Sequence, residues 1–161
     1  IMEKQGVFDE EGTIFCHLKM SYRCTQQLIN LVYYLLIHSP PEDMLYKTKS
    51  FIHLPSNLKG KTPVWVEVSG LEAFIEYSNA DDEFNSHNDV LVIYDPEYDD
   101  PTAIQALRGH CIGRQWKSRS SLEIMGSEAS LVVIYDLPRV HFESMSRAVN
   151  QLVFVTTSNK R

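Results

Sequence analysis

Two stretches, "DVLVIYD" at Asp89–Asp95 and "SLVVIYD" at Ser130–Asp136, constrain the fold more than anything else in the chain. Each carries five apolar or aromatic residues in a row, with no polar alternate. A strand with one wet face alternates every second residue, so a strand without alternation is covered on both faces. "QLVFVTT" at Gln151–Thr157 reads as a third buried strand and "TPVWVEVS" at Thr62–Ser69 as a fourth. Between them lie helical patterns. "TQQLINLVYYLLIHS" has Leu28, Leu31, Val32, Leu35 and Leu36 at helical spacing, Thr25 as N-cap and "SPP" as its stop. "LEAFIEYSNADDEF", "DPTAIQALRGHCI" with Pro101 in its first turn, and "HFESMSRAVN" are the others. The polar stretch Asn79–Asn88 reads as a loop. Buried strands separated by helices predict an α/β three-layer sandwich with a mainly parallel sheet and right-handed crossovers.

The 161 residues fit one domain. Residues 1–14 read as a polar lead-in and 15–161 as the domain. The chain starts at an isoleucine in what reads as continuing sequence, so it is expected to be part of a larger protein. Its apolar runs are too short to cross a bilayer, and neither a signal peptide nor a lipid-anchor pattern is present. Cys16, Cys24 and Cys111 are odd in number and lack ligand spacing, which argues for a reducing, intracellular setting, cytoplasmic or nuclear. The histidines form no HxxH pair, and no metal site is expected.

The net charge of −6 is unevenly spread. Thr62–Leu107 holds eleven acids and no lysine or arginine, so the rest of the chain is basic. Overall acidity argues against a nucleic-acid binder, whereas the run Arg108, Arg114, Lys117, Arg119 leaves a basic face or a solvated loop open. The chain has no GxSxG elbow, GxGxxG turn or GxxxxGK[ST] phosphate loop, so it cannot hold a nucleoside triphosphate alone by the usual route. Asp95, Glu97, Asp99 and Asp100 match no known cation loop and read as a solvated acidic turn. In open α/β sheets, ligands gather beyond the carboxyl ends of strands. By that rule the places to look are Asp95–Asp100, Asp136–His141 and Thr156–Ser158. A receiver-like domain using Asp95 lacks the preceding acidic pair and a placed lysine.

Three stretches, in order, carry a resemblance. "LKMSYRCTQQLINLV", "MGSEASLVVIYD" and "FESMSRAVNQLVFVTT" resemble the "L..NYRS...I", "KGLE..VVI" and "YVA(L)TRA...L.L" motifs of superfamily 1 helicases. The part resembled is the second, C-terminal RecA-like domain of UvrD/Rep-like enzymes, over about Phe15 to Ser158. The resemblance implies a RecA-like half-domain in an ATP-dependent motor. ATP, with its Mg2+, would be held mainly by an upstream RecA-like domain. Arg23, after Tyr22, and Arg147 would be the catalytic arginines on the terminal phosphate. Gly126 and Glu128 would lie at the nucleotide, Glu128 on the ribose. Guanidinium suits this role because it is planar, permanently charged and bidentate toward phosphate oxygens. Single-stranded DNA or RNA would lie near Arg114, Trp116, Lys117 and Arg119.

This sequence departs from those motifs at Met125, where the family has lysine, at Ser21, where it has asparagine, and at Cys24, where it has serine or threonine. The spacer between the first two motifs is also too short for an inserted arm domain. A helicase-like scaffold, or a nucleotide-sensing or protein-interaction module, is therefore the alternative function.

Overall fold

The computed structural model describes residues 24–38, 56, 58–97, 100–138 and 142–158. The lead-in at 1–14 lies outside them. One five-stranded sheet is present, ordered β1 (Val64–Val68), β5 (Ala148–Thr157), β4 (Ala129–Tyr135), β2 (Val90–Tyr94), β3 (Lys117–Ser120). Every neighbouring pair is parallel. The expected sheet is thus parallel throughout the described residues.

Unbroken apolar strands feed two cores, one per face. Val90, Val92, Tyr94, Leu131, Val133, Tyr135, Val153 and Val155 pack under α2 (Leu71–Ala80), α3 (Asp82–Ser86) and α4 (Pro101–Gly113). Phe74, Phe84, Leu107 and Cys111 complete that layer. On the other face, Leu91, Ile93, Val132, Ile134 and Leu152 meet Leu28 of α1 (Gln26–His38) and Met145 of α5 (Phe142–Met145). Each such side chain removed from water contributes about 1.5–3 kcal/mol. The chain crosses from β1 to β2 to β3 over the first face and returns through β4 to β5 over the second. Reversing direction and face together keeps one hand for every crossover.

The return from β3 to β4 has no helix. Residues 121–128 cross instead, anchored by the fully buried Ile124 among Leu91 and Ile93. Ser127 N donates to Ile124 O at 3.0 Å, and Gly126 takes φ +73° in that turn, where a side chain would be strained.

Several helices end elsewhere than the sequence predicts. The run "LEAFIEYSNADDEF" is two helices, because Asp81 is extended and its carboxylate accepts from Glu83 N and Phe84 N. The Asn79–Asn88 stretch, expected as loop, therefore contains α3. Thr25 precedes α1, but its buried hydroxyl meets no partner among the described residues and does not cap the helix. Pro101 starts α4 as expected, and Asp100, read as part of a solvated acidic turn, caps it, with Thr102 N donating to its carboxylate at 2.9 Å.

At the other end of α4, Trp116 N donates to Cys111 O and Gln115 N to Ile112 O, with Gln115 at φ +59°. This is a Schellman stop written with glutamine in place of the usual glycine. It swings Trp116 inward and delivers the chain into β3, a polar edge strand in a run for which the sequence left a basic face or a solvated loop open.

The last predicted helix is the shortest. α5 stops at Met145, and β5 starts at Ala148 because Ala148 pairs with Ala129 at the head of β4. Ladder pairing prevails over helix propensity here, so Arg147 sits in a turn and not on a helix. The register then slips between Ala129 and Leu131, a bulge in β5 around Val149–Asn150. The Asn150 carbonyl accepts from Lys61 N at 3.1 Å.

Candidate nucleotide-facing edge

Because all strands are parallel, they begin along one edge of the sheet, and the residues just before them line up there. Glu128 precedes β4 and Arg147 precedes β5, on neighbouring strands. Ala129 N donates to Arg147 O at 3.2 Å, which fixes the two positions to each other through the backbone. The motif residues therefore gather at the amino edge. The rule that pointed to the carboxyl edge directed attention to the opposite side of the domain. There, Asp136 (φ +49°) accepts from Thr157 N and Thr157 Oγ1 and ties β4 to the end of β5. Asp95 accepts from Glu97 N in a local turn. His141 and Asp99 lie outside the described residues.

Arg147 is the most enclosed cation of the amino edge. Its backbone is held from both sides, by its own N–H to Ser144 O and by its carbonyl to Ala129 N. Its side chain is 14% exposed, and Nη2 donates to Glu143 Oε1 at 2.8 Å. Nε is buried and meets no acceptor among the described residues. A buried donor left unmade carries a desolvation penalty of about 1–3 kcal/mol.

Glu128 is exposed at the head of β4, and Gly126 makes the turn that leads into it. The Gly-x-Glu spacing thus has a structural reason as well: a turn that demands positive φ, then strand. Tyr22 and Arg23 lie outside the described residues, but the chain beyond them does not. Gln26 N donates to Leu58 O, and Gly60 N to Gln27 Oε1, so α1 begins beside the approach to β1. Lys61 pairs with Glu83, and Lys117 Nζ bonds Asp89 at 2.8 Å. His87 Nδ1 lies 3.1 Å from Ser130 Oγ. Burial pushes the His87 imidazole below its ordinary value, helped by the Lys61 charge and opposed by the nearby Gln151 side chain.

The four residues expected at nucleic acid do not form an open basic face. Trp116 is 7% exposed, packed against Phe84 and His110, with the Arg114 guanidinium 4.7 Å over its ring. It is a core residue, and no base can stack on it without displacing that packing. Arg114 also donates to Asn79 and Asn85. Lys117 is engaged by Asp89, while Arg119, on the edge strand, is exposed and donates to the neighbouring Ser118 carbonyl. Beside it, Leu122 and Met125 point outward. Met125 is 84% exposed.

Among the described residues no cluster of histidine, cysteine, aspartate or glutamate could hold a metal ion. Nor is any helix there long and apolar enough to cross a membrane.

Neither a protein-family model nor a curated protein matches this sequence. Among solved structures, the chain is similar to the C-terminal domain of a possible DNA helicase from Lactobacillus plantarum WCFS1. The TM-score is 0.55 at 16% identity, over 85% of this chain and 88% of that one. At that identity the likeness concerns the fold: the chain has the α/β fold of a RecA-like half-domain, shared with a helicase C-terminal domain.

Proposed function

We propose that this chain is the C-terminal half of an ATP-dependent, superfamily 1 helicase-like motor. Its amino edge faces ATP and Mg2+ held by an upstream RecA-like domain. The observation that carries this reading is Arg147: enclosed, backbone-fixed, and with a buried Nε that meets no acceptor among the described residues. Glu128 stands on the adjacent strand head, suitably placed for a ribose hydroxyl. Arg23 with Tyr22, just ahead of α1, supplies the second phosphate contact. Closing the two domains brings the arginines to the γ-phosphate, where they stabilise the charge that develops as the bond to the leaving group loosens.

The scaffold reading is retained for one reason. Arg114, Trp116 and Lys117 are all engaged within the domain, which leaves Arg119 as the freest of the four for a nucleic-acid phosphate. Nucleotide contacts are better provided for than strand contacts.

The test is phosphate release by a protein extended upstream through the neighbouring domain, with and without single-stranded DNA and RNA. Stimulated release, lowered about 10³-fold by Arg147→Ala, is expected of the motor. Turnover untouched by Arg147→Ala removes the arginine from the reaction. ATP binding without turnover selects the nucleotide-sensing module.

A further inference from the structure

We infer that Glu143 is a positioning residue that holds Arg147 when no phosphate is present and competes with phosphate for it. The inference rests on the nucleotide reading of Arg147 and adds a partner that the motif resemblance does not supply. Glu143 is four residues before Arg147, and its Oε1 accepts from Nη2 at 2.8 Å. The two are unequal partners: Glu143 is 48% exposed and free to swing into water, whereas Arg147 is 14% exposed and fixed at its backbone. Ser146 Oγ donates to Glu143 O and Ser146 N to Phe142 O, which hold the short turn that sets the pair's spacing.

A carboxylate on Nη2 leaves Nε unserved, so the present pairing is one-pronged. A phosphate with several oxygens competes with the carboxylate for the Nη end of the guanidinium, which it can grip in the bidentate manner that guanidinium favours. Doing so displaces the carboxylate, or leaves it beside the incoming negative charge. Either way the carboxylate weakens phosphate binding by the strength of a half-exposed ion pair. In return it keeps the guanidinium at the edge, aimed and neutralised, between binding events. Glutamine at 143 keeps the shape and a hydrogen-bonding oxygen and removes the charge.

The experiment uses the 161-residue chain and pyrophosphate as the probe, with the Arg147 Nε–H signal followed by NMR and assigned by its loss in Arg147→Lys. Wild type and Glu143→Gln are titrated at low salt. The expected result is a weak titration in wild type and binding tighter by about two- to five-fold in Glu143→Gln, the range of a partly exposed ion pair. Amide spectra elsewhere should be unchanged. Equal affinities in the two proteins overturn the role of Glu143 and leave the arginine's own assignment standing. A signal that moves in neither protein overturns both.

Discussion

Gly60 gives the sharpest stability prediction. It lies on the approach to β1, between the start of α1 and the β5 bulge. A Cβ built there would stand 2.5 Å from the Asn150 carbonyl oxygen and 2.5 Å from Thr25 Cγ2. The first is backbone and cannot rotate away. It is also the acceptor for Lys61 N, so moving it strains a hydrogen bond that joins the β1 approach to β5. Thr25 is buried and has little room to retreat. Overpacking of this kind costs about 1–3 kcal/mol, and a weakened hydrogen bond adds about 1 kcal/mol. Gly60→Ala should therefore destabilise by about 2–4 kcal/mol, lowering the melting temperature by about 5–15 °C for a domain of this size.

Gly109 is the internal control. It is in the body of α4 and a Cβ there meets nothing within 4 Å. Gly109→Ala should stabilise by about 0.5–1 kcal/mol. Thermal melts followed by far-ultraviolet circular dichroism report both variants. A Gly60→Ala protein melting with wild type would refute the close packing of the start of α1 and the approach to β1 against β5.

The protein should lose stability as pH falls from 7.5 to 5.5. Burial lowers the pKa of His87 and of His110, which also faces the Arg114 charge, below the ordinary 6.5. The unfolded chain then binds more protons than the folded one, so the stabilisation is present above about pH 6.5 and is lost below it. A melting temperature flat across that interval contradicts this, and His110→Gln should reduce the slope. Ile124→Ala should cost about 2–3 kcal/mol, at the low end for a buried aliphatic because an exposed loop can settle into the space. Denaturant titration measures it, and a loss under 0.5 kcal/mol would mean that the loop is not anchored through this side chain.

The parallel sheet was legible because β2, β4 and β5 must be covered on both faces, and a sequence announces that as unbroken apolar runs. The start of α4 was legible for an equally local reason, Pro101 in its first turn, whereas the capping role of Asp100 was not read. What escaped were features decided by partners distant in sequence. β3 is four polar residues whose strand state depends on pairing with β2, and the glutamine at the preceding helix stop hides the turn. The limit of α5 is set by Ala129, which claims Ala148 for a ladder. Asp81 looked like an interior helix residue until its carboxylate was seen capping α3. At the site, the order of motifs named Glu128 and Arg147, and the topology brings them to adjacent strand heads. Trp116 and Lys117 were chosen by residue type alone, and tertiary packing assigned them to Phe84 and Asp89.

The strand order has a consequence for how the domain comes into being. β5 is the last strand described, yet it lies between β1 and β4. During synthesis β1 emerges first of the five and has no strand beside it until β5 arrives. At about 5–20 residues per second, that leaves an edge with Val64 and Trp65 unpaired for several seconds. The helical layer of α2, α3 and α4 can gather on β2, β3 and β4 in the meantime, but the sheet remains split until its middle is inserted. Folding should therefore be slow and dominated by pairings between distant parts of the chain. A ribosome pausing before Ala148 would leave a half-sheet with an open seam.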